Sequence, residues 1–138
     1  MLSLPFPAQA QIILIFGDSL SAAYGMPIEQ GWVALLEDRL SSRGYDYRIV
    51  NASISGDTTA SGRARLPQVL ATNEPAVVVL ELGGNDGLRG LSLKEMKNNL
   101  ADMIIRAQDN GARVLLVGVQ LPPNYGPFYT ERFQSVYS

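Results

Sequence analysis

The chain has 138 residues, 46% of them hydrophobic and 17% charged, with a net charge of -2. That suits one domain with a real core and gives no cationic footprint for nucleic acid or anionic membrane. It has neither cysteine nor histidine, which excludes a disulfide framework and argues against a transition-metal site, although carboxylates could still hold a hard cation.

Met1 to Ala10 reads MLSLPFPAQA and ends in Ala8-Gln9-Ala10, a pattern like a signal-peptidase site. It lacks a basic n-region, and its apolar part is short. Residues 1–11 are read as a leader or a signal-peptide remnant, with a periplasmic or secreted location as the expectation. No stretch is long enough to span a bilayer.

An apolar run at 12–16 is the first expected strand. Residues 31–43 read as a helix, with Trp32, Leu35, Leu36 and Leu40 recurring at helical spacing and Gly44 just past its end. Residues 47–53 form a second strand. A helix over 58–71 places Leu66, Val69 and Leu70 on one face. Residues 76–82 (AVVVLEL) are a third, strongly β-branched strand, with Pro75 at its entrance. The helix over 92–110 carries a capping-box pair, Ser92 and Glu95, and Gly111 closes it. Residues 114–119 are a fourth strand, apolar throughout and read as an interior one. A last helix starts at 127 and runs to 138, carrying Phe128, Phe133, Val136 and Tyr137.

Strands separated by helices of this length imply right-handed βαβ units, a parallel sheet and one domain over 12–138. The last helix has no stop signal, so the domain is expected to be incomplete at its C-terminus.

Three polar clusters follow the first three strands: Gly17-Asp18-Ser19, then Asn51 to Asp57, then Gly83-Gly84-Asn85-Asp86-Gly87. In a parallel sheet these loops share the carboxyl-end rim, where α/β proteins build their sites. Ser19 is the candidate nucleophile, at a sharp turn where a short helix can start. Taken alone it could equally be a turn or N-cap serine. Gly56 offers an unobstructed backbone N–H and Asn85 an aimed side-chain amide, both suited to a developing oxyanion. Each also fits ordinary turn chemistry. Asp18, Asp57 and Asp86 are a rival set for a metal ion, with capping as the plainer reading. Arg63, Arg65 and Arg89 read as solvated surface charge.

Together and in this order, the clusters resemble the GDSL or SGNH hydrolase family. Gly17-Asp18-Ser19-Leu20-Ser21 matches its first block, Gly56 the glycine of its second, and Gly84-Asn85-Asp86 its third. ELGGNDGLRG (81–90) and LPPNYG (121–126) look like the bacterial thioesterase I, lysophospholipase and arylesterase branch. The resemblance implies a flavodoxin-like α/β/α sandwich of sheet order 2-1-3-4-5, whose last strand and helix are missing here. It implies a serine hydrolase of acyl esters and thioesters, needing no cofactor and no metal and monomeric when complete. Ser19 would attack the acyl carbon, with the N–H groups of Ser19 and Gly56 and the Asn85 amide around the oxyanion. Asp18, Gly84, Gly87, Leu88 and Tyr125 would border the substrate. The segment 87–91 would be a mobile lip, and 121–128 part of the acyl wall. The family's Asp-x-x-His block has no counterpart in this sequence, so a nearly inactive fragment is expected. A non-catalytic acyl- or lipid-binding module is the alternative.

Overall fold

The structure, a computed structural model, describes residues 10–138. The expected leader therefore lies outside the described residues except for Ala10 and Gln11, and Gln11 already opens a strand. Four strands form one parallel sheet: β1 (Gln11–Gly17), β2 (Tyr47–Asn51), β3 (Val77–Glu81) and β4 (Arg113–Leu116). Their order is β2-β1-β3-β4, the first four positions of the order the resemblance implies. The register sets Ile15 beside both Asn51 and Val79, and Gly17 beside Glu81. The carboxyl ends of β1, β2 and β3 thus finish on one rim.

Helices cover both faces, because β1 and β3 are apolar on each side. On one face, α2 (Thr59–Asn73) and α4 (Leu93–Asp109) bury Leu66, Leu70, Leu100 and Met103 against Leu14, Phe16, Val78 and Leu80. On the other, α1 (Trp32–Ser42) packs Val33, Trp32, Leu36 and Leu40 against Ile13, Ile15 and Val79. Leu35, expected on that stripe, is exposed instead. Val33, Leu36 and Leu40 share one helical face, and Leu35 falls off it. The α4 boundaries follow their sequence signals: Ser92 Oγ accepts from the Glu95 amide at 3.2 Å, and Gly111 lies just past the end at positive φ.

Three sequence expectations change. β4 is only four residues long where 114–119 was expected; it stands at the sheet edge, as the implied strand order has it, with Leu115 57% exposed. Its apolar composition serves one buried face, not two. The expected polar loop after β3 contains a short helix, α3 (Gly84–Leu88). The last helix, α5 (Pro127–Ser135), is shorter than expected and leaves Phe128 exposed. Its anchor is Phe133, fully buried and worth roughly 2 kcal/mol by apolar burial.

Candidate active site

The turn after β1 carries Ser19, half-buried at the rim. Gly17 ends the strand against Glu81 so closely that an added Cβ would meet Glu81 Oε1 and Ser21 Oγ, each at 2.8 Å. Only glycine fits there, which accounts for the first letter of the motif. No helix begins at Ser19. The Asp18 carbonyl accepts from the Ser21 and Ala22 amides, and Ala23 at φ 58° and Gly25 at φ 78° then break the helical run. The N–H groups at Ser19 are therefore those of a turn and not of a helix terminus.

The second cluster is tied to the first. Gly17 N–H donates to Ser53 Oγ at 3.1 Å, and Ile54 N–H donates to the Gly17 carbonyl at 3.0 Å. Asn51 Nδ2 donates to the Ser21 carbonyl at 2.9 Å. Gly56 sits at φ 86°, a left-handed conformation that an L side chain would strain, and it is exposed. The third cluster closes on the second: Asn85 Nδ2 donates to the Asp57 carbonyl at 2.9 Å, one residue beyond Gly56. That bond uses one of the two N–H groups of the amide. Ser19, Gly56 and Asn85 thus sit on three hydrogen-bonded segments of one rim, two loops and the start of α3.

The other expected substrate residues divide. Leu88 and Tyr125 are 47% and 38% exposed and meet at the rim, where Tyr125 Oη lies 3.4 Å from the Leu88 carbonyl it donates to. Asp18, Gly84 and Gly87 are buried and do not face solvent. Asp18 Oδ1 accepts from the Leu20 amide at 3.0 Å, so its carboxyl shapes the turn from beneath. Gly87 lies under Phe133, whose ring an added Cβ would meet at 2.6 Å. Tyr129 Oη also donates to the Gly87 carbonyl at 2.8 Å. The start of the expected lip is therefore a packed helical turn, which leaves 89–91 outside α3.

Loop 121–128 lies on the α3 flank of the rim, through Leu121 against Gly87 and Tyr125 against Leu88. Elsewhere an apolar groove of about 430 Å³ is lined by Leu20, Trp32, Val117 and Val119, with Glu81 on its wall. The three aspartates do not converge. Asp57 pairs with Arg65, and Asp86 accepts from the Thr59 amide and hydroxyl at 2.8 and 2.6 Å, fixing the start of α2. Among the described residues no three acidic side chains gather as a metal site.

Two important residues escaped the sequence reading. Arg65 is no solvated charge. Its Nε contacts Asp57 at 2.6 Å, Nη1 donates to the Ala52 carbonyl at 2.6 Å, and Nη2 reaches the Gly17 carbonyl at 3.4 Å. Its guanidinium lies 3.9 Å from the Phe16 ring centre. Arg63 and Arg89 do stay exposed, on Asp102 and on the Gly56 carbonyl. Glu81 is the second. Burial pushes its carboxyl up to about 7, with Asp18 adding like charge, while Ser21 donates to it at 2.6 Å. Burial likewise raises Asp18. The signal was present in the sequence: an acid closing a β-branched buried strand is rarely there without purpose.

A parallel α/β/α sandwich with a Gly-Asp-Ser turn, a glycine loop and an Asn-bearing loop on one rim defines a class, and the match is direct: residues 15–137 fit the GDSL-like lipase/acylhydrolase family, to which this chain belongs. Among its relatives, esterase TesA of Pseudomonas aeruginosa is 62% identical over 130 residues, 94% of this chain and 65% of that protein. Thioesterase 1/protease 1/lysophospholipase L1 of Escherichia coli K12 is 45% identical over 94% of this chain and 61% of that protein. The chain thus spans less than two thirds of the length of these curated relatives. A crystal structure of TesA superposes with a TM-score of 0.91 at 61% identity, covering 92% of this chain and 71% of that one.

Proposed function

We propose that this chain carries the nucleophile and oxyanion machinery of a serine hydrolase acting on acyl esters and thioesters. Ser19 Oγ attacks the acyl carbon, the alcohol or thiol leaves, and water then hydrolyses the acyl-enzyme. The oxyanion is met by the N–H groups of Ser19 and Gly56 and by the free N–H of Asn85. Each such donor is worth roughly 3 kcal/mol in the transition state. The observation that carries this reading is the bond from Asn85 to the Asp57 carbonyl, which holds the amide beside Gly56 on the rim that bears Ser19. The esterase and thioesterase names of the relatives support the substrate class.

The 138 residues contain no histidine, so nothing here takes the Ser19 proton as an imidazole base does. Losing that base costs a serine hydrolase on the order of a millionfold in turnover. This chain by itself is therefore nearly inactive. The test is acylation by a p-nitrophenyl ester with and without added imidazole, read by mass spectrometry. Imidazole should promote a single acyl adduct on Ser19, and Ser19→Ala should remove it. Adducts that persist in Ser19→Ala, or unaided turnover within about tenfold of a complete relative, would count against the reading.

The missing histidine also favours a second reading, a module that binds acyl groups without turning them over. In that case Ser19→Ala leaves acyl affinity unchanged, and imidazole yields no adduct.

A further inference from the structure

Glu81 closes β3 and is 3% exposed. Its Oε1 accepts from Ser21 Oγ at 2.6 Å and lies 3.5 Å from the Asp18 amide nitrogen. Its Oε2 is the one buried side-chain polar atom without a partner among the described residues. An ionised carboxylate left half-satisfied in the interior is costly, whereas a neutral acid loses far less by burial. The pattern fits a proton on Oε2, with Oε1 as the carbonyl oxygen receiving both donors. Those donors flank Ser19 in sequence: Asp18 precedes it and Ser21 lies two residues on. Gly17 leaves the carboxyl no slack against the strand end.

We propose that Glu81 is a positioning residue for Ser19, a neutral acid that holds the Asp18–Ser21 turn in place and shifts it on ionising. The proposal rests on the reading of Ser19 as nucleophile. On ionisation the proton passes to solvent, and the remaining charge faces the Asp18 carboxylate.

The charged and titratable groups around this spot set the sign. The β1 turn contributes Asp18. The second loop contributes Asp57, already paired with Arg65 of α2. From α3 comes Asp86, held by Thr59. Beyond α5, the Tyr137 phenol donates to the Leu82 carbonyl at 2.7 Å, and its own ionisation is pushed upward by burial and by Glu81. Acids outnumber cations here, so the surroundings favour a retained proton. The upward shift of Glu81 to about 7 agrees.

The experiment is an NMR titration of the 138-residue chain from about pH 5 to 9, following the Glu81 side-chain carboxyl and the Asp18, Ser19 and Ser21 amides. The carboxyl and the three amides should share one midpoint near 7. Glu81→Gln, a neutral isostere, should abolish the step and leave the amides at their wild-type low-pH positions. Ser21→Ala removes a donor to the carboxylate and should raise the midpoint; this variant keeps the proposal testable if Glu81→Gln fails to fold. A Glu81 midpoint in the ordinary carboxylate range overturns the proposal. So does an amide step that survives in Glu81→Gln, or a midpoint that Ser21→Ala leaves unmoved. Acylation of Ser19 plays no part in this titration, so failure of the hydrolase reading would show separately.

Discussion

Arg65 binds the first two loops into one body, reaching Asp57, Ala52 and Gly17 from α2. Because it is largely buried, removing it leaves the Asp57 carboxylate without its ion pair and the Ala52 carbonyl without its arginine donor. Arg65→Gln should cost about 3 kcal/mol in urea unfolding, the range for breaking a buried pair. Arg63→Gln, which opens an exposed pair with Asp102, should cost under about 1 kcal/mol. Equal losses would show that Arg65 is not the clamp described. The contrast also marks a limit of sequence reading. Both arginines sit on one helix two residues apart, and local pattern treats them alike. Their fates are decided by partners up to 48 positions away, which no periodicity encodes. Glu81 is the same case: its partner hydroxyl is 60 positions distant.

Elements whose signals are local were legible. The apolar runs gave all four strands, and α4 obeyed its caps because Ser92 and Glu95 act within one turn. The shared rim position of Ser19, Gly56 and Asn85 was legible because each follows a recognisable strand. The short α3 was not. Two of its five residues are glycine, a poor helix former, and the turn is held by burial under Phe133 and by the Tyr129 hydroxyl. Tyr129→Phe should therefore loosen this turn at a cost of about 1 kcal/mol, seen as faster amide exchange at Gly87 and Leu88. Unchanged exchange would mean that packing alone suffices. The apolar sequence of β4 reads the same at an edge or inside, and its edge place follows from the sheet order. An exposed edge carrying Leu115 invites pairing between chains. Sedimentation should show concentration-dependent association of the wild type, and Leu115→Lys should reduce it.

At the scale of the molecule, the buried acid ties folding to pH. Burial pushes the Glu81 carboxyl up to about 7 in the fold, against 4.5 for an ordinary glutamate. A raised carboxyl contributes its full stability below the unfolded value and loses it as pH climbs through the folded one. The loss amounts to as much as about 3 kcal/mol between pH 4.5 and 7, at about 1.4 kcal/mol per unit. Asp18, also raised, adds the same sign. Urea midpoints should therefore be higher at pH 5 than at pH 8, and Glu81→Gln should flatten the difference. A wild type more stable at pH 8 would remove the basis for that linkage. The groove beside this acid has one more property. Its wall includes Trp32, the sole tryptophan of the chain, together with Leu20 and Glu81. The protein thus carries a single indole in the wall of this groove. Emission excited selectively at the indole should report a guest that enters the groove, without a label and without interference from a second indole.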